Sequence, residues 1–161
     1  MSTGHETAVT DQPRQPSSVP PAAAWLGGTG ALPFLALALL TIFGPDTWTA
    51  WAGRALTFYG AVILSFLGGI QWGMAIAARS PAPDSALPRR LVTSVVPSLI
   101  GWAALLMPFK IGLFMMVAAF ALVLFADVRA SMKGEAPDWY PKLRIPLSAV
   151  VMASLVAGAM A

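Results

Sequence analysis

The stretch Tyr59-GAVILSFLGGIQWGMAIA-Ala78 limits what this chain can fold into more than any other. It carries no charge, and a helix of about 20 residues rises about 30 Å, the thickness of a bilayer's hydrocarbon core. Through it runs a ladder of small residues at every fourth position: Gly53, Thr57, Ala61, Ser65, Gly69, Gly73 and Ala77. Residues four apart stack nearly above one another on a helix. The ladder therefore predicts one face on which another helix backbone approaches closely, the usual packing mode in lipid. Ala61, Ser65, Gly69, Gly73 and Ala77 are the candidate helix-packing residues. Spacing alone leaves open whether their partner is internal or another subunit.

The rest of the chain repeats this character. It is 57% hydrophobic and only 11% charged, against about a quarter charged in soluble domains. The expected fold is an all-α integral membrane five-helix bundle behind a disordered N-terminal tail. Residues 1–21 form the tail, with Pro13, Pro16, Pro20 and Pro21 among polar residues and no apolar period. No basic region leads directly into an apolar core there, so the tail does not read as a secretory signal. Spans are expected at about 22–43, 52–78, 91–107, 110–127 and 145–161. The apolar run 91–126 is divided by Met107-Pro108-Phe109-Lys110. Residues 79–90 and 127–144 read as charged loops. Gly44-Pro45-Asp46 ends the first span, and Trp48 and Trp51 suit an interfacial loop.

Charge sets the expected orientation. With five spans, Arg14, Arg79, Arg89, Arg90, Arg129, Lys133, Lys142 and Arg144 fall on one side, and Arg54 and Lys110 on the other. This positive-inside bias predicts a cytoplasmic N-terminus and a C-terminus across the membrane. The Ala-rich, Arg-over-Lys composition suggests a bacterial inner membrane, with a periplasmic C-terminus. Because the chain has no cysteine, single cysteines at Asp46, Asp84 and Pro137 test this topology with an impermeant reagent on intact spheroplasts. Position 46 should label while 84 and 137 stay silent. The reverse pattern overturns the orientation, and joint labelling of 46 and 137 overturns the span count.

Chemistry-bearing residues are sparse. The only histidine, His5, sits in the tail. No nucleophile–base pair, metal-ligand spacing or phosphate loop appears, so no catalytic, cofactor-binding or metal residue is expected. The net charge of +3 belongs to membrane loops and does not point to nucleic acid. Intramembrane ionisable groups usually mark a transport path. Arg54 and Asp127 lie at predicted span edges, and Asp127 and Arg144 end adjacent spans on one side, where a structural salt bridge is expected. Most deep Ser and Thr residues can bond their own helix backbone. Gln71 is different, because a primary amide in hydrocarbon needs a partner. One reading is an interhelical bond; the other is a polar pocket lined by Tyr59, Gln71, Trp72 and Ser98.

The block Tyr59-GAVILSFLGGIQWG, with Val96-Pro97-Ser98 and Trp139-Tyr140-xx-Leu143-Arg144, resembles the domain of unknown function 3429 family. That family is found widely in proteobacteria and is similar to mitochondrial transmembrane protein 69. The likeness runs from about Trp25 to the C-terminus. It implies a small multi-span membrane protein and supplies no reaction. The family pattern often has histidine where this chain has Gln71, so an imidazole's metal or proton chemistry is not implied for this member. The leading expectation is a non-enzymatic helper, embedded in the bilayer and packing against other membrane proteins or itself. A small transporter or channel for an uncharged solute is the alternative.

Overall fold

The computed structural model describes residues 18–77 and 86–161. Among them are five helices and no strand: α1 (Pro21–Phe43), α2 (Asp46–Ala77), α3 (Ala86–Leu105), α4 (Phe109–Met132) and α5 (Tyr140–Met160). The expected tail lies outside the described residues over 1–17. Pro21 opens α1 at a position where a missing N–H costs nothing. The helix then runs unbroken through Pro33.

Several boundaries differ from the expected ones, each for a local reason. α2 begins at Asp46, so Trp48 and Trp51 are helical and not in a loop. The Pro45 carbonyl accepts from the N–H groups of Trp48 (2.8 Å) and Thr49 (3.2 Å), and Asp46 complements the helix dipole. The two indoles meet edge-on at 5.7 Å and stay more than half exposed. α3 starts at Ala86, so 86–90 are helical, with Pro88 in the first turn where it is tolerated. The residues before it, 78–85, are not described. α4 continues past Asp127 to Met132, because no breaker occurs until Lys133-Gly134. There a positive φ of 71° at Gly134 closes the helix. The N–H of Glu135 donates to the Ala130 carbonyl and that of Gly134 to Ser131, the hydrogen-bond pair of a Schellman cap. The expected 127–144 loop thus shrinks to 133–139.

α1, α2, α4 and α5 are long and apolar enough to cross a membrane. α3 has 20 residues, but Arg89 and Arg90 in its N-terminal part leave a short apolar segment. It packs chiefly on α2 and then on α4. At the centre, Phe34, Leu56, Leu64, Leu113, Met116, Phe120 and Leu155 are fully buried. Phe34 lies 4.8 Å from the Tyr59 ring and meets Phe120 edge-on at 6.0 Å. The Tyr59 hydroxyl donates to the Gly30 carbonyl at 2.9 Å, tying α1 to α2. Around this core, Phe58, Phe66, Leu99, Leu122 and Phe125 point outward and exposed. Such an apolar belt suits lipid as solvent, and the chain is a multi-pass membrane protein.

The small-residue ladder does not occupy one face. Gly53, Thr57 and Ala61 are buried, whereas Ser65, Gly69, Gly73 and Ala77 are exposed. The reason is helical arithmetic. Four residues turn a helix by about 400°, so each rung drifts about 40° and the whole ladder about 240°. Among the described residues, nothing lies within 4 Å of where Cβ atoms on Gly69 and Gly73 would stand, whereas Ala61 makes a close backbone contact. A Cβ on Gly101 of α3 would lie 3.2 Å from its Cα. Other glycines carry the tight crossings. A Cβ on Gly68 would fall on the Ser94 carbonyl oxygen, and one on Gly112 on that of Ala104.

Candidate functional site

The described polar chemistry converges on Asp127. By continuing to Met132, α4 places Asp127 about 7.5 Å inside its end, where it is 2% exposed. Pro141 in the first turn of α5 helps start that helix, and Arg144 follows one turn on, facing α4. Its Nε donates to Asp127 Oδ2 at 2.8 Å, with both side chains almost wholly buried. The expected pair therefore forms, inside the bundle and not at its rim.

Two further groups lean on the same carboxylate. Gln71 Nε2 donates to Oδ1 at 3.4 Å, and the Tyr140 hydroxyl donates to Oδ2 at 3.5 Å. Both contacts are long, so Arg144 is the principal partner. Together they join α2, α4 and α5 through one residue. Gln71 thus follows the interhelical reading, though its partner is a carboxylate that spacing did not reveal. Arg144 Nη2, Ser148 Oγ and Ser131 Oγ are buried without a hydrogen-bond partner among the described residues. Arg144 and Ser148 are one turn apart on the inner face of α5, so this part of the interior is polar beyond the pair itself.

The four-residue pocket expected from Tyr59, Gln71, Trp72 and Ser98 does not assemble. Tyr59 stands twelve residues before Gln71, about 18 Å along α2, and its hydroxyl is engaged by α1. Trp72 is 42% exposed and points outward. Ser98 sits against Gly68 on the α2–α3 crossing, its Oγ 3.4 Å from where a Cβ would be. Sequence reasoning missed Tyr140 as a cluster member; its ring also meets that of Trp139 at 6.0 Å.

Next to the cluster, a groove of about 470 Å³ runs between α3 and α4, with Gln71 of α2 in its wall. Arg89, Arg90, Arg129, Lys133 and Glu135 line its outer end, and Val96, Ile100, Leu122 and Val123 its inner length. Arg90 Nη2 meets Glu135 at 2.6 Å, partly exposed. The Schellman turn at Gly134 brings Glu135 to that position.

Comparison with known proteins agrees with this architecture. The family model described as "Protein of unknown function (DUF3429)" matches residues 19–160. Transmembrane protein 69 of Xenopus tropicalis is 36% identical over 141 residues, covering 85% of this chain and 53% of the relative. Transmembrane protein 69 of Mus musculus is 29% identical over 137 residues, covering 85% and 55%. The chain spans about half the length of the curated relatives it matches. No solved structure matches it significantly. A multi-pass helical bundle with this signature block, matched from residue 19 to residue 160, belongs to the DUF3429 family of proteins of unknown function.

Proposed function

We propose that this protein is a non-enzymatic helper of a bacterial inner membrane, with its N-terminus cytoplasmic and its C-terminus periplasmic, that packs against other membrane proteins. The observation that carries this reading is the outward half of the α2 ladder. Gly69 and Gly73 are exposed, and nothing described lies within 4 Å of where their Cβ atoms would stand. Bare backbone facing lipid, beside the large Phe66 and Ile76, offers another protein's helix the close approach that drives association in a bilayer. The ionisable interior supports a structural role, because Asp127 is buried and engaged at both oxygens.

A transporter for an uncharged solute is the second reading, favoured by Gln71 lying both in the groove wall and against Asp127. Copurification in mild detergent distinguishes the two. Gly73→Leu should lower partner recovery, while Gln71→Ala should leave it nearly intact and cost about 1 kcal/mol of bundle stability. Solute flux in liposomes that Gln71→Ala abolishes, with the fold intact, would overturn the helper reading.

A further inference from the structure

We infer that the α3–α4 groove is a binding site for one anionic phospholipid, its phosphate held by the basic rim and an acyl chain laid along the apolar wall. The groove is zoned in the way such a molecule requires. Its outer end collects four cations, Arg89, Arg90, Arg129 and Lys133, against the single carboxylate of Glu135. Arg129 also lies with its guanidinium carbon 5.7 Å from the centre of the exposed Phe125 ring, one turn further into the apolar part of α4.

Length fixes the occupant further. From Arg89 to Ile100 on α3 is eleven residues, about 16 Å of helix, and from Ala119 to Lys133, just past the end of α4, fourteen, about 21 Å. Those lengths are about half to two-thirds of a 30 Å hydrocarbon core, enough for an acyl chain to run from the basic rim to the bilayer midplane. On α4, Ala119, Ala126 and Ala130 keep the wall low, while Pro97 interrupts the backbone ladder of α3 beside it. A free phosphate would use the rim and leave the apolar length unoccupied. A zwitterionic lipid would use the length and bring its own cation to a rim already rich in them. A peptide helix is too wide for a groove of about 470 Å³ walled by two packed helices about 8–10 Å apart. Basic pockets between membrane helices at this level are suited to acidic headgroups.

The test uses the full chain in mild detergent micelles doped with equal amounts of phosphatidylglycerol and phosphatidylcholine of matched acyl chains, read by native mass spectrometry. One phosphatidylglycerol should be retained preferentially. Arg129→Gln with Lys133→Gln should weaken that retention about 30-fold, since each basic group near an acidic headgroup contributes about a factor of five. Leu122→Trp, which fills the apolar wall and leaves every charge, should weaken it as well. Glycerol phosphate, the headgroup without chains, should fail to displace the lipid. Equal retention of the two lipids, displacement by glycerol phosphate, a polypeptide adduct in place of lipid, or unchanged retention in either variant would overturn the proposal. Should a variant fold poorly, the wild-type chain still decides. Its melting temperature must rise more with phosphatidylglycerol than with phosphatidylcholine, and an equal rise refutes the site.

Discussion

Arg144→Ala should destabilise the bundle by about 3–5 kcal/mol, the cost of leaving one member of a buried ion pair unpaired. Asp127→Ala should do the same from the other side. Both residues are buried, and their 2.8 Å contact has almost no access to solvent. Removing Arg144 strands a carboxylate whose remaining contacts, at 3.4 and 3.5 Å, are too long to replace it. The readouts are abundance in membranes and the thermal midpoint of the detergent-solubilised chain. The double variant Asp127→Leu, Arg144→Met should recover most of the loss, because apolar groups of similar volume often replace a buried pair without penalty. Wild-type stability in either single variant would mean that the pair is solvated.

Gly68→Leu comes next in size. A Cβ at this position meets the Ser94 carbonyl, a backbone atom that no rotamer change moves aside. Overpacking of this kind costs about 1–3 kcal/mol, and a backbone-to-backbone clash belongs at the upper end. Gly112→Leu, against the Ala104 carbonyl, should behave alike. Leu at Gly69 or Gly73 meets open space in the isolated chain and should leave its melting unchanged or slightly raised, as glycine is a poor helix former. Equal melting of Gly68→Leu and Gly69→Leu would refute the assignment of inner and outer glycines.

The contrast between these glycines shows what was legible in advance. Apolar length and loop charge are one-dimensional signals, and they were enough for five helices and for the Asp127–Arg144 pair. The rotational phase of a helix is subtler. A four-residue repeat looks like a face in print, yet it winds around a 3.6-residue helix. The buried positions of α2, among them Gly53, Thr57, Gly60, Leu64, Leu67 and Ala75, instead alternate steps of three and four with one longer gap. Reading for that alternation would have picked Gly60 and Gly68 over Gly69 and Gly73. The meeting of Gln71 with Asp127 spans 56 positions, and no local pattern encodes it. Asp127 read as a span edge because hydropathy falls there, although the helix itself continues for five more residues.

The claim that the outer face of α2 meets another membrane protein is tested most directly by photocrosslinking in native membranes. A photoreactive residue is placed singly at Gly69, at Gly73 and, for comparison, at Leu99 on the exposed surface of α3. Positions 69 and 73 should give the same discrete protein adduct, and position 99 should give lipid adducts alone. Lipid adducts alone from all three positions would contradict the account.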